Sequence, residues 1–239
     1  MSDPSIAELF TALEATWPPA STKRVGPWKI RNGCGGGQRV SSTTAEALVV
    51  VSDIALAEDA MSGLHQNRIF MIRPGMEQID ALLERQGYRI KDSVVVYLAD
   101  VPQLATEPLP HASVFEIYPP LGIMAELWMA GGIGPDRLAV MERVQGPKTA
   151  LLVRCEDFPA GVAFVAAYQR IAVIHAIHVT AALRRKGVGT NIIRASARWA
   201  QGRGATHLAL AATRTNTDGR ALYTSNGMKV LAEYHYRTK

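Results

Sequence analysis

The apolar residues near the N-terminus recur every three or four positions, which predicts an amphipathic helix. A pair of prolines at positions 18 and 19 ends this pattern. The apolar positions of the helix are Ile6, Leu9, Phe10, Leu13 and Trp17.

The rest of the first hundred residues alternates between short strands and helices. The stretch 28–31, the glycine cluster 33–37 and the stretch 38–41 are interpreted as a hairpin with a glycine turn. The remaining pattern predicts helices at 45–66 and 76–86, and strands at 68–72 and around 93–97.

Residues 101–113 carry three prolines and no apolar period, which indicates a linker. We therefore predict an α/β domain over 1–105 and a second domain over 112–239. In the second, strands are predicted at 114–118, 150–154, 161–168, 171–179, 205–211 and 229–236, and helices at 121–130, 135–144, 187–201 and 218–225. Strands and helices alternate only near the end, so the predicted fold class is α+β. It has a mixed, mostly antiparallel sheet flanked by helices, with one parallel crossover.

The composition fits a globular protein, with 48% hydrophobic and 20% charged residues. The sequence has neither the roughly 18 consecutive apolar residues of a spanning helix nor the pattern of a signal peptide, so a cytoplasmic location is expected. Cys34 and Cys155 are far apart, and a regular strand would send His175 and His178 to opposite faces. No metal site is therefore predicted.

A net charge of +5 would suit a polyanionic partner. The basic residues are spread along the chain, and the tight cluster 184–186 lies against glycines. This arrangement favours a local phosphate site over a nucleic-acid groove, so neither a nucleic-acid nor a membrane partner is expected.

The turn after the predicted strand 171–179 contains Gly187 and Gly189 and opens directly into a helix. Glycine lets a backbone approach a ligand closely, and a helix start offers unpaired N–H groups with a partial positive charge. Together with the basic cluster, these features predict an anion-binding cradle. The turn has neither the third glycine of a dinucleotide fingerprint nor the Gly-Lys-Ser/Thr of a P-loop.

Two stretches of this region resemble motifs of the GNAT superfamily of N-acetyltransferases. Arg184-x-x-Gly187-x-Gly189 is similar to its pyrophosphate-binding motif, Arg/Gln-x-x-Gly-x-Gly/Ala, and an alanine at 181 replaces the family's preceding proline. Asn216-x-x-Gly219-x-x-Leu222-Tyr223-x-x-x-Gly227-Met228 is similar to Asn-x-x-Ala-x-x-Leu-Tyr-x-x-x-Gly-Phe. The resemblance covers the second predicted domain, and the first is interpreted as a degenerate GNAT-like half without the glycine motif.

The resemblance implies the acyl-CoA N-acyltransferase fold and transfer of the acetyl group of acetyl-CoA to a primary amine of a small molecule or peptide. The pantetheine arm would pair with the strand like an added strand, and the backbone amides of the glycine turn would receive the pyrophosphate. The implied cofactor-binding residues are Ile177, Val179, Arg184, Arg185, Lys186, Gly187, Val188, Gly189, Thr190 and Asn216.

The catalytic residues implied by the resemblance are an acid and a base. Tyr223 matches the tyrosine that protonates the departing thiolate, although packing in the core is the alternative. At the position of the glutamate of histone-type members this chain has Val173. His175 falls where arylalkylamine acetyltransferases carry a strand histidine and is the candidate base, with a structural role as the alternative. Glu126 and Glu142 are fallback bases.

Two other functions stay open at this stage. A non-catalytic CoA-binding regulatory module would explain the absent strand glutamate, and a nucleic-acid-binding protein would explain the basic charge. The expected partner is a small-molecule or peptide amine. The sequence identifies neither that acceptor nor the oligomeric state, of which a homodimer is one candidate.

Overall fold

The computed structural model describes residues 2–239, which fall into two compact units. Unit 1 comprises 2–17, Val96–Ala212 and Asn216–Leu231, and unit 2 comprises Pro18–Val95, Thr213–Thr215 and Ala232–Lys239. The predicted linker 101–113 lies within unit 1 and begins with a short helix. The boundaries of these units therefore differ from the predicted ones near 105–112.

The helices, in chain order, are α1 (Ile6–Ala15), α2 (Gln38–Ser41), α3 (Val51–Ser62), α4 (Glu77–Arg85), α5 (Val101–Leu104), α6 (Gly122–Ala130), α7 (Pro135–Arg143), α8 (Val188–Gln201) and α9 (Thr217–Ser225). The strands are β1 (Ser21–Val25), β2 (Trp28–Asn32), β3 (Thr44–Ala45), β4 (Ile69–Ile72), β5 (Arg89–Asp100), β6 (Val114–Ile117), β7 (Lys148–Cys155), β8 (Phe158–Tyr168), β9 (Ile171–Val179), β10 (His207–Thr213) and β11 (Lys229–Thr238).

The sheet of unit 1 has the strand order β5-β10-β9-β8-β7-β6. β9 and β10 are parallel and are connected through α8, whereas β8 pairs antiparallel with both β7 and β9. The predicted mixed sheet with one parallel crossover is thus confirmed. The apolar side of α8 is buried against β7, β8 and β9.

Helix α1 packs against β8 and β9. It begins with a capping box, in which the Ser5 hydroxyl accepts from the Glu8 amide at 3.2 Å and the Glu8 carboxylate accepts from the Ser5 amide at 2.8 Å. Loss of such a cap typically costs about 1 kcal/mol. Leu9, Phe10 and Leu13 are buried, as the helical period predicted.

Unit 2 contains the antiparallel sheet β1-β2-β3 and the antiparallel pair of β4 with β11. The hairpin prediction was wrong in its location, because the turn joins β1 to β2 at Gly26, whose φ of 56° is in the left-handed region. The glycine cluster instead connects β2 to α2, so 38–41 is a short helix rather than a strand. The core of this unit is apolar and includes Trp28, Ile30, Met61, Phe70, Leu83 and Tyr88.

None of the helices within residues 2–239 combines the length and the apolar character that crossing a bilayer requires.

Candidate functional site

The sheet of unit 1 opens between β9 and β10. Their parallel pairing runs from Ile171 opposite His207 to Ile174 opposite Leu210. β9 nevertheless continues to Val179 and β10 to Thr213. The last part of β9, which includes Ile177 and Val179, therefore lies beyond the end of the ladder. Backbone groups on this side of β9 face a gap in the sheet rather than a neighbouring strand.

A β-bulge interrupts β9 at the start of this gap. Phe164 of β8 pairs with His175 and Val162 pairs with His178, so that one residue on β8 lies opposite two on β9. Ala176 in the bulge has a φ of 51°. Residues paired directly across a sheet point to the same face, and so do residues two apart on a regular strand. His175 and His178 therefore share a face, and the predicted opposite orientation was wrong, because the extra residue reverses the alternation.

His175 is packed under the end of α1. His175 is only 6% exposed, and its Nε2 lies 2.9 Å from the hydroxyl of the buried Thr16. The indole of Trp17 covers the imidazole at a centroid distance of 4.9 Å and an interplanar angle of 30°. These contacts embed the sequence-predicted base in the junction between helix and sheet.

His178 is only half-buried, and it faces the end of α6. A Cβ placed on Gly131 would lie 2.3 Å from its Nδ1, so the ring occupies space that a side chain at 131 would fill. Trp128 of α6 fixes the adjacent bulge, because its indole N–H donates to the carbonyl of Ala176 at 2.8 Å. Burial, together with the positive charge of Arg184, lowers the pKa of His178 below its usual 6.5.

The turn between β9 and α8 lies at the protein surface. Residues 184–187 are exposed, and Gly187, the N-cap of α8, has a φ of 79° that favours glycine. The first hydrogen bond of the helix runs from the Asn191 amide to the Gly187 carbonyl at 2.9 Å. The amides of residues 188–190 therefore precede the helical ladder and point out of its positive end, as an anion cradle requires.

The three basic residues of the turn already have neighbours of different kinds. Lys186 contacts both carboxylate oxygens of Glu156 at 2.7 Å, and this hydrogen bond raises the lysine pKa. Arg185 lies 3.6 Å from Asp218, and Arg184 donates to the Val179 carbonyl at 3.3 Å. The two ion pairs are solvent-exposed, so each adds little to the stability of the fold and is easily exchanged for an anionic ligand.

Gly189 serves helix packing. A Cβ at this position would lie 2.5 Å from Cδ2 of Leu222, so the missing side chain lets α8 and α9 approach each other. Sequence reasoning attributed this glycine to close approach of a ligand. A Cβ on Gly187, by contrast, would meet no atom within 4 Å, and glycine is required there for its backbone conformation instead.

Tyr223 lies on the buried side of α9 and is 6% exposed. Burial, and to a smaller extent the neighbouring Tyr97, raises its pKa to about 12, so the phenol is protonated at neutral pH. The ring centroids of Tyr97 and Tyr223 are 5.4 Å apart. Tyr97 was missed by sequence reasoning because it lies more than 120 positions earlier, on β5, in a stretch that showed only a strand pattern.

One face of α9 borders an open cleft of about 490 Å³ that Tyr97 also lines. Asn216 caps this helix, since its side-chain oxygen accepts from the Gly219 amide at 3.0 Å. A Cβ on Gly219 would lie 2.6 Å from the Asn216 amide nitrogen, which explains why glycine suits this position here. Asn216, which the resemblance implies as a cofactor-binding residue, thus serves as the N-cap of α9 in this structure.

The remaining charged candidates lie outside β9 and the turn that follows it. Glu126 and Glu142 are exposed on α6 and α7. Within residues 2–239, one group of three potential metal ligands occurs, namely Asp3, Asp100 and His207. The Asp3 carboxylate contacts the Lys229 ammonium at 2.8 and 3.1 Å, so we interpret this group as an ion-pair network.

The sequence is similar to those of known acetyltransferases. Residues 132–228 match the model of the Acetyltransferase (GNAT) family. The chain is 24% identical over 245 residues to the uncharacterized N-acetyltransferase YobR of Bacillus subtilis (strain 168), with 98% of both chains covered.

Two solved structures share the fold. A GCN5-related N-acetyltransferase from Kribbella flavida matches with a TM-score of 0.71 and 16% identity, over 100% of this chain and 96% of that one. A tandem GNAT protein from the clavulanic acid biosynthesis pathway matches with a TM-score of 0.62 and 12% identity, over 93% of this chain and 84% of that one. The family match therefore identifies residues 132–228 as an acetyltransferase domain of the GNAT family, and this protein as an acyltransferase enzyme.

Proposed function

We propose that this protein transfers the acetyl group of acetyl-CoA to a primary amine of a small molecule or peptide, with the cofactor bound beside the second half of β9. The observation that carries the proposal is the early end of the β9–β10 ladder, directly before a surface turn that opens α8. A strand edge and a helix start are thus adjacent, and they suit the two polar parts of CoA.

The backbone groups of Ile177 and Val179 would hold the pantetheine amides, as an added strand would be held. The amides of residues 188–190 would receive the pyrophosphate, and Arg184 to Lys186 would add positive charge. Gly187 allows the turn between them. Gly189 would act indirectly by setting the position of α8 against Leu222. Asn216 would act in the same indirect way, by fixing the first turn of α9.

Acetyl-CoA supplies an activated thioester. The chain would polarise its carbonyl with a backbone N–H near Ile177, a contribution of the oxyanion-hole type. The amine nitrogen forms the new C–N bond as the C–S bond breaks, and the nitrogen releases one proton to solvent. The thiolate takes a proton from the Tyr223 hydroxyl, which solvent then restores. A phenol whose pKa is about 12 is fully protonated before this step.

Acetyl transfer also needs a base that takes the proton of the acceptor amine. His175 remains the residue that the family resemblance suggests. Its 6% exposure and its contacts with Thr16 and Trp17 favour a structural role in holding α1.

Acetyl-CoA binding and turnover test the proposal together. At a hundredfold excess over Kd, acetyl-CoA should raise the free energy of unfolding by about 2.7 kcal/mol. Release of free thiol should then be measured with spermidine, tobramycin, phenethylamine, single amino acids and an alanine tripeptide as acceptors. Absence of any stabilisation by acetyl-CoA would rule out the proposed site.

A CoA-binding regulatory module is the second candidate. Val173, fully buried on β9, stands where histone-type relatives have their glutamate. This alternative predicts the same stabilisation by acetyl-CoA but no thiol release above background with any amine, in the native protein or in Tyr223→Phe. That residues 1–105 form a degenerate GNAT-like half remains a prediction, as do the cytoplasmic location and the homodimer. Cell fractionation tests the location, and light scattering tests the homodimer.

A further inference from the structure

We infer that His178, and not His175, accepts the proton of the acceptor amine, an assignment that rests on the proposed acetyl transfer. The bulge at Ala176 places the two histidines on one face, but His175 directly follows the last paired residue, Ile174, and is buried, whereas His178 lies further into the gap and is only half-buried. It is flanked by Ile177 and Val179, the residues proposed to hold pantetheine.

The direction of the His178 side chain fits this role. Backbone groups of a strand lie in the plane of the sheet, whereas side chains point out of it. A thioester held along the edge of β9 would therefore leave the His178 imidazole on the face that carries α6. An amine that enters from that face would meet the imidazole on its way to the thioester carbonyl.

The surroundings of the ring are built to receive it. Gly131 at the end of α6 leaves the space, since a Cβ there would approach Nδ1 to 2.3 Å, Cγ to 2.7 Å and Cε1 to 3.0 Å. With a φ of −87°, Gly131 has no conformational need to be glycine, so the space it leaves is its structural contribution. The Trp128 indole holds the Ala176 carbonyl and thereby the bulge that orients His178.

The charge state of His178 is compatible with proton transfer. Two causes lower the pKa of His178: burial is the larger, and the positive charge of Arg184 in the turn after β9 is the smaller. The facing positions on β8 and α6, Val162 and Gly131, carry no charge. The imidazole is consequently neutral at pH 7 and can accept a proton from R–NH₃⁺. This gives R–NH₂ and an imidazolium, which returns the proton to water after transfer.

The test compares His178→Gln with Gly131→Ala, which keeps the imidazole but displaces it. With the best amine of the panel, we expect kcat at pH 7 to fall at least tenfold in His178→Gln, with the KM for acetyl-CoA within twofold of the native value. The native fall in kcat/KM at acidic pH, below 6.5, should vanish in this variant. Gly131→Ala should lower kcat three- to tenfold. Gly122→Ala, at the open start of α6, should leave kcat unchanged.

The inference would be overturned if His178→Gln kept the native kcat and the fall in kcat/KM below pH 6.5. It would also be overturned if this fall were lost in His175→Gln instead. The proposed function fails separately, when acetyl-CoA does not stabilise the native protein. Should the variants not fold or no amine react, NMR titration of the native protein decides. The His178 ring should titrate below pH 6.5 and its resonances should move when CoA is added. Failure of either one overturns the assignment.

Discussion

Tyr97 holds one turn of α9 at two points. Its ring lies 5.4 Å from the ring of Tyr223, and its hydroxyl accepts a hydrogen bond from Nε of Arg220 at 3.2 Å. Arg220 and Tyr223 are three residues apart and therefore lie on the same side of the helix. A strand residue thus fixes both the position of α9 and the ring of the proposed acid.

Removing only the Tyr97 hydroxyl should separate these two contacts. Tyr97→Phe keeps the ring but loses the bond to Arg220, so we expect a loss of about 1 kcal/mol in stability and a three- to tenfold lower kcat. Tyr97→Leu also removes the ring contact and should lower kcat further. Steady-state kinetics and denaturant unfolding check both variants. Tyr168→Phe, on the exposed part of β8, is the control, and equal kinetics in all three would show that Tyr97 has no positioning role.

Reversing the charge of Arg184 should weaken acetyl-CoA binding, because a carboxylate would then lie beside the proposed pyrophosphate site. A tenfold weaker Kd would reduce the stabilisation at the same acetyl-CoA concentration from about 2.7 to about 1.4 kcal/mol. Arg184→Glu is measured by thermal unfolding with and without acetyl-CoA. Arg203→Glu makes the same change beyond the far end of α8 and should keep the full stabilisation. The same loss in both variants would indicate a general charge effect.

The bulge can be tested through the backbone at Ala176. A β-branched side chain is strongly disfavoured at a φ of 51°, so Ala176→Val should cost about 1–3 kcal/mol and reduce kcat by misplacing His178. Ala176→Gly accepts this conformation, and its stability should stay within about 1 kcal/mol of the native value with kcat retained. Denaturant unfolding measures the stability of the two variants, and turnover measures their kcat. A fully active Ala176→Val would show that the bulge geometry is not needed.

Stability should fall as the pH drops below 6.5, partly through His207. This side chain is fully buried, and burial lowers its pKa more than the nearby Asp100 raises it. Between pH 6.5 and the lower pKa of His207 in the folded protein, this residue is protonated in the unfolded chain but not in the folded chain. The free energy of unfolding therefore decreases with falling pH, by at most about 1.4 kcal/mol per pH unit for one group.

Denaturant unfolding at pH 7.5, 6.5 and 5.5 measures this slope. His207→Gln should show a shallower decrease than the native protein, while His178, whose pKa is lowered in the same direction, retains its own contribution. Identical slopes would mean that the pKa of His207 is the same in the folded and the unfolded chain.

Local patterns predicted the elements that form the site. The sequence pattern predicted a strand at 171–179, and β9 has these bounds in the structure. The glycines and the basic cluster predicted the turn into α8, which begins at Val188. Helix starts and strand patterns depend on neighbouring residues, so the sequence itself carries these signals.

The orientation of side chains in the site could not be predicted from local sequence patterns. The prediction that His175 and His178 point to opposite faces assumed a regular strand. A single bulged residue, fixed by pairing with β8 and by Trp128, reverses the alternation of side chains. The need for glycine at position 189 likewise depends on Leu222 of α9, which lies far along the chain.

The sequence by itself determined that this chain has a strand, a glycine turn and a helix of the acetyltransferase type, because these depend on short-range spacing. Only the tertiary structure decided which side chains meet there. Tyr97 reaches Tyr223, and Gly131 receives His178, through contacts between elements that are distant along the chain. Such contacts arise when separate elements pack together, and no periodicity within one element specifies its partner.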